Sequence, residues 1–232
     1  MEQCLLCQQS LTSELTLLTL LTGYRGAQEQ FCQTCLQKFQ EITGPICPGC
    51  GRMSGDARLC QDCQTWQDKG ETLIENRALY VYNQQMKDYM ARYKFIGDYR
   101  LRVLFKGGMR KHICRRVRAE KIDMVTSIPI SSQRLQTRGF NQVHVFIPIS
   151  KGFLEPLTVS DNHKVDQSSK TRVDRLQTTQ PFEFKEGMEP RIRGRRILLV
   201  DDVYTTGRTL YHASARLKSA GAAAVFSITL AR

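Results

Sequence analysis

Ile197-Leu198-Leu199-Val200-Asp201-Asp202-Val203-Tyr204-Thr205-Thr206-Gly207-Arg208-Thr209 is the stretch whose reading decides the fold. Four branched apolar residues, Ile197 to Val200, read as a strand buried on both faces of a parallel sheet. Asp201 and Asp202 follow at its carboxyl end, where open α/β sheets place their ligands. From Thr205 the chain turns into a helix that Thr209 and Leu210 begin. Gly207 permits a tight bend, so that successive amide N–H groups and the hydroxyls of Thr205, Thr206 and Thr209 converge on a phosphate. Two carboxylates facing that phosphate would repel it, so the acid pair is expected to accept hydrogen bonds from a neighbouring sugar diol. Phosphate plus diol describes a ribose 5-phosphate. An ordinary strand followed by a capped helix would need neither two acids nor this order of threonines and glycine.

Working outward, the chain has 232 residues, enough for one good core and a small appendage. Its 41% hydrophobic content fits a globular protein. The Leu15–Leu21 run is too short to span a bilayer and is broken by threonines. Glu2 and Glu14 precede it, unlike the basic start of a signal peptide, so a cytoplasmic location is expected, with any membrane association peripheral and through partners. Charge is segregated. Residues 1–70 hold 5 Lys/Arg and 7 Asp/Glu, whereas 71–232 hold 29 and 15, a net of +14. Between Lys87 and Lys121 there are 12 basic and 3 acidic residues. So broad a field suits a polyanion, with nucleic acid favoured over a single phosphate ester or mere solubility.

Eight of nine cysteines form four Cys-x-x-Cys pairs, Cys4/Cys7, Cys32/Cys35, Cys47/Cys50 and Cys60/Cys63. Two such pairs complete a tetrahedral zinc site, and thiols held reduced argue against disulfides. Redox catalysis wants one pair in a thioredoxin-like unit, not four in tandem. An iron–sulfur cluster would take the same ligands, but ligand type and spacing favour two structural zinc ions. Sequential pairing (Cys4, Cys7, Cys32 and Cys35, then Cys47, Cys50, Cys60 and Cys63) is expected, although the spacing also permits an interleaved arrangement. Cys114 stands alone in a helical pattern and is expected to be buried or half-buried.

Composition changes near Gly70, dividing a Cys-rich zinc-ribbon module at 1–70 from a larger domain at 71–232. In the latter, strands are expected at Ala78–Tyr82, Asp123–Ile128, Leu157–Ser160, Ile197–Val200 and Ala224–Leu230. Helices are expected at Asn83–Phe95, over the stripe Leu101, Leu104, Phe105, Met109, Ile113 and Val117, at Gln142–Ser150 and at Thr206–Ser219. Gly107 and Gly108 weaken the second of these. Lys164–Thr179 is polar and reads as a loop or a short exposed helix. The alternation predicts an α/β fold, an open, mainly parallel sheet flanked by helices.

The opening stretch resembles the phosphoribosyl pyrophosphate (PRPP) motif of type I phosphoribosyltransferases. That resemblance implies that the acid pair contacts the ribose 2- and 3-hydroxyls and that Thr205, Thr206, Gly207, Arg208 and Thr209 bind the 5-phosphate. Thr126-Ser127-Ile128-Pro129-Ile130 lies where such enzymes carry a pyrophosphate loop. With Arg134-x-x-x-Arg138-Gly139-Phe140-Asn141-Gln142, Lys170-Thr171-Arg172-x-x-Arg175 and the cysteine pairs, the whole chain is similar to the ComF family of competence proteins, ComFC type. The resemblance implies support of natural transformation, single-stranded DNA as a ligand, and an ATP-driven DNA translocase as partner.

Arg138, Lys170, Arg172 and Arg175 are then candidates for pyrophosphate or DNA phosphate. Phe140, Asn141, Gln142, Arg110, Lys111, Arg115 and Arg116 are candidates for DNA, with packing of Phe140 onto the domain weighed slightly above stacking on a base. Thr205 stands where purine-salvage relatives often carry an Asp, and no base-recognition hood is visible, so no catalytic residue is assigned. The expected function is a DNA-binding competence accessory with a ribose-phosphate pocket. The alternatives are an active transferase, for which magnesium would accompany PRPP, and a PRPP-responsive regulator.

Overall fold

The structure, a computed structural model, describes residues 3–11, 30–148, 152–160 and 180–232. The Leu15–Leu21 run, the Lys164–Thr179 segment and with it Lys170, Arg172 and Arg175 lie outside the described residues. In chain order the strands are β1 (Asn76–Tyr80), β2 (Met124–Ser127), β3 (Leu157–Val159), β4 (Phe182–Phe184), β5 (Arg196–Val203) and β6 (Ala224–Ala231). The helices are α1 (Gln33–Leu36), α2 (Gln61–Asp68), α3 (Gln84–Ala91), α4 (Val103–Ala119), α5 (Ser132–Arg138) and α6 (Arg208–Ser219). β1, β6, β5 and β2 pair in that order, all parallel, and β3 and β4 form a separate antiparallel pair.

β5 is buried on both faces because it lies between two parallel neighbours and helices cover both sides. On one face Leu198 and Val200 meet Met86, Tyr89 and Met90 of α3 and Phe105, Met109 and Ile113 of α4. Leu101, Phe105, Met109 and Ile113, each four residues apart, form the buried stripe of that side. Gly107 and Gly108 sit on its solvent face with open space around them, so the helix runs through them. On the other face Ile197 and Leu199 meet Leu210, Ala213 and Leu217 of α6.

Among the described residues the cysteine-rich part has no separate core. Cys4, Phe31, Cys35 and Phe39 join the α3–α4 face, and Phe39 stands edge-on to Phe105 at 5.0 Å and to Tyr89 at 6.0 Å. Cys47, Cys50 and Cys63 join the α6 face. Each cysteine group is therefore built into one side of the sheet.

Two local expectations need correction. Gln142–Ser150 forms no α-helix among its described residues, only a 3-10 turn at His144–Phe146. The Asn141 side chain accepts from Val143 N–H at 3.1 Å and donates to the Ile128 carbonyl at 3.2 Å, a local bonding pattern that competes with helix. Cys114 is exposed, because it falls on the face of α4 opposite the apolar stripe. Among the described residues no helix is long and apolar enough to cross a membrane.

Candidate functional site

β5 carries Asp201 and Asp202 to the carboxyl end of the sheet, and the chain then bends through Thr205–Gly207 into α6. Gly207 fits the bend twice over. Its φ is +81°, and a Cβ there would collide with the Tyr204 hydroxyl. Thr205, Thr206 and Thr209 are exposed beside the first turn of α6, where the Arg208 N–H donates to Thr206 Oγ1 at 3.4 Å. An anion can approach this turn from solvent with donors already in place.

The two acids have different surroundings. Asp202 is 4% exposed and both of its oxygens have partners. Lys94 Nζ lies 2.7 Å from Oδ1, and Gln142 Nε2 donates to Oδ2 at 2.6 Å. Arg138 Nη1 in turn donates to Gln142 Oε1 at 3.1 Å. The Arg-Gly-Phe-Asn-Gln segment thus closes onto the acid pair. Asp201 is half-buried and accepts the Asp202 N–H at 2.8 Å. Burial, then the adjacent Asp202 carboxylate, push its pKa up to about 7, with Lys94 opposing. Asp201 therefore changes charge near neutrality and is the member with coordination capacity to spare for a diol or a divalent cation.

Lys94 belongs to a π-helical turn, Arg92–Ile96, that continues α3. Such turns re-aim a side chain relative to the helix before them. Two residues earlier, Arg92 donates to the Leu5 and Leu6 carbonyls, each at 2.7 Å, inside the first Cys-x-x-Cys knuckle. Sequence reading placed Lys94 in a general basic run. Its position between Tyr93, which is buried, and Phe95 was the available signal.

Other candidates fall into two groups. Asn141 and Gln142 are buried and bond within the protein, and Phe140 packs against Tyr99 and Tyr93 with ring centroids 4.8 and 5.4 Å away. This corrects the reading of Asn141 and Gln142 as base-contacting side chains, because their polar atoms are already engaged, and it agrees with the packing expected of Phe140. Arg116 is also corrected. Its side chain is 11% exposed and pairs with Glu75 at 2.9 Å and Glu120 at 3.4 Å. Arg110 is half-buried and donates to the Val145 carbonyl at 3.3 Å. Lys111, Arg115 and Arg118 are exposed and, spaced i, i+4, i+7, form one basic row along α4.

Ser127, at the end of β2, lies beside His144 and Glu155. Both approach the same histidine nitrogen, Nε2, at 3.2 Å and 2.8 Å, so the group is not a nucleophile–base–orienter relay, which uses both ring nitrogens. Hydrogen bonding from His144 chiefly, then the charge of Lys185 and the hydrogen bond from Ser127, keep the Glu155 carboxyl below its ordinary range against the effect of burial.

The cysteines gather as Cys4, Cys7, Cys32 and Cys35, and as Cys47, Cys50, Cys60 and Cys63, which is the sequential pairing. Sulfurs of Cys7 and Cys32 are 3.6 Å apart, those of Cys47 and Cys63 3.6 Å, and those of Cys50 and Cys60 3.5 Å. A tetrahedral zinc with four Zn–S bonds of about 2.3 Å sets sulfurs about 3.8 Å apart. The donor sets therefore fit structural zinc. Backbone N–H groups of Leu6 and Cys32 point at Cys4 Sγ and that of Cys60 at Cys47 Sγ, the outer-shell bonding that steadies thiolates. Gly51 fits between the second knuckle and β1, where a Cβ would meet the Asn76 carbonyl at 2.7 Å. Buried Asn76 donates to the Cys50 carbonyl at 3.0 Å and to Thr229 Oγ1 at 3.2 Å, tying that knuckle to β6.

Comparison with known proteins gives four likenesses. Residues 130–232 match the phosphoribosyl transferase domain family. Competence protein ComFC of Bacillus subtilis is 35% identical over 99% of this chain and 94% of its own length. Competence protein ComFC of Streptococcus pneumoniae is 36% identical over 99% of this chain and 100% of its own. A solved hypoxanthine phosphoribosyltransferase from Staphylococcus aureus overlaps 53% of this chain and 60% of its own at 13% identity, with a TM-score of 0.30.

Proposed function

The chain belongs to the ComFC family of competence proteins and carries a phosphoribosyltransferase-like fold, and from that premise we propose that it binds single-stranded DNA during natural transformation and holds a phosphoribosyl ligand at the carboxyl end of β5. The observation that carries the DNA part is the exposed row of Lys111, Arg115 and Arg118 on α4. Three cations in line track a phosphate backbone without reading bases, which suits passage of DNA of any sequence. An ATP-driven translocase of the uptake machinery is the partner that such a role calls for.

The ligand part rests on the turn at Thr205–Thr209. Amides and hydroxyls there meet the 5-phosphate, Arg208 adds a cation beside it, and ionised Asp201 accepts from the ribose hydroxyls or holds a magnesium ion carried by the pyrophosphate. Asp202 acts from behind, bonded to Lys94 and Gln142, and keeps the end of β5 in register with the Arg138–Gln142 segment. No acceptor-activating base is assigned, so the reading is a binding protein that retains a transferase pocket.

The test is fluorescence anisotropy of labelled single-stranded DNA across a salt series, with and without PRPP and magnesium. Binding that weakens steeply with salt and is indifferent to sequence supports the reading. Absence of DNA binding at low salt rejects its first half. Competition by PRPP would place both ligands in one pocket, whereas independence keeps the α4 row and the β5 pocket separate, as proposed.

A further inference from the structure

The second cysteine cluster is joined to the carbonyls of the phosphate loop by two side chains. Cys60 caps α2 and Cys63 lies in its first turn, so a metal held by these sulfurs fixes the start of that helix. Trp66 stands one turn further along. Its ring stacks on Tyr211 of α6 with centroids 4.2 Å apart and planes 19° apart. Its Nε1–H donates to the Thr206 carbonyl at 3.0 Å. Arg232, at the end of β6, makes the second link. Its guanidinium lies 4.7 Å above the Tyr204 ring, donates to the Thr205 carbonyl at 2.8 Å and pairs with Asp62 of α2 at 3.0 Å. That side chain is 6% exposed, so its orientation is fixed by these partners.

Two consecutive carbonyls of the turn are thus pulled toward the cysteine-rich side. Drawing the Thr205 and Thr206 carbonyls inward fixes the orientation of the peptide units that follow, which is what a phosphate turn needs. We propose that the Cys47, Cys50, Cys60 and Cys63 metal centre sets the conformation of the phosphate loop through Trp66 and Arg232, so that occupancy of this centre controls affinity for a ribose 5-phosphate group. Trp66 and Arg232 are positioning residues, since they face the loop carbonyls and not its ligand side. The affinity part rests on the reading of the loop given above, whereas the conformational part stands on the contacts alone.

The test compares the full-length protein, loaded with metal, with Trp66→Phe and Cys60→Ser. Trp66→Phe keeps an aromatic ring against Tyr211 and removes only the N–H donor. Metal content, hydrogen exchange of peptides covering 203–210, and calorimetric titration with ribose 5-phosphate are measured on each. Trp66→Phe is expected to retain its metal, exchange faster in the loop and bind about three- to tenfold more weakly, the range for losing one neutral hydrogen bond. Cys60→Ser is expected to lose one metal and show a larger effect of the same sign, with β2 and α4 still protected. Unchanged loop exchange in both variants, or faster exchange spread over β2 and α4 alike, overturns the proposal. If the unmodified protein binds no ribose 5-phosphate, the loop's assigned ligand is wrong, and the exchange data alone decide whether the metal centre governs the loop.

Discussion

Replacing Lys94 by Met isolates the buried ion pair that holds the acid motif. The substitution preserves most of the side-chain volume and leaves Asp202, 6% exposed at its side chain, with Gln142 as its remaining partner. Breaking a fully buried pair costs about 3–5 kcal/mol. Lys94 is 19% exposed, so water reaches part of the pair and about 2–3 kcal/mol is expected instead. Asp202→Asn should cost less, about 1–2 kcal/mol, because the four-carbon stem of Lys94 lets its ammonium move toward solvent. The double variant buries no unpaired charge and should fall short of the summed cost by about 1.5 kcal/mol or more. Urea unfolding with metals retained, followed by far-ultraviolet circular dichroism, provides the cycle. Costs that add to within about 0.5 kcal/mol would mean that the two side chains do not depend on each other, and the account of Asp202 as a structural anchor would fail.

Further outcomes follow from the same geometry. Metal analysis should find two ions per chain, and Cys47→Ser should retain one, whereas a single ion in protein made with ample zinc contradicts the paired clusters. Gly207→Ala should abolish phosphate binding and cost about 2 kcal/mol or more, since the added Cβ strains φ and strikes Tyr204; normal binding by this variant removes the turn from the site. Because Asp201 is pushed up to about 7, the folded protein holds a proton that the unfolded chain releases, so this group's stability contribution falls as pH rises from its ordinary value of 3.8 to about 7 and is flat above. A hydroxyl donor or magnesium ion favours the ionised form, so affinity for ribose 5-phosphate should rise as pH climbs through about 7, and Asp201→Asn should lose that part of the slope; identical slopes would exclude Asp201 from the site. Neutralising Lys111, Arg115 and Arg118 together should flatten the salt dependence of single-stranded DNA binding by about 2 in log–log slope at most, and an unchanged slope would mean the row is only a solvated face.

The strand Ile197–Val200, the acid pair and the Gly207 bend were readable in the sequence because burial on both faces and a positive φ demand residue types that few other settings need. The sequential cysteine pairing was expected but spacing alone left an interleaved one open, and the fold decides it because each set closes from neighbouring knuckles. Helix α5 went unread because none of its residues is buried and its one large apolar side chain, Leu135, is exposed, so no stripe marks it. The basic run between Lys87 and Lys121 misled in part. Counting charges does not separate Arg92, Lys94 and Arg116, which bond inside the protein, from Lys111, Arg115 and Arg118, which face solvent. Trp66 and Arg232 carried no motif, because their role depends on the return of β6 and α2 to the same loop, and long-range contacts leave no local pattern.

The central claim is that the turn after β5 is a working ribose-phosphate site, and calorimetric titration of the metal-loaded full-length protein with PRPP and magnesium tests it most directly. The account predicts saturable binding of one ligand per chain, weakened in Asp201→Asn and lost in Gly207→Ala while both variants keep their metal. Absence of saturable heat in the unmodified protein, or equal affinity in all three, would contradict it.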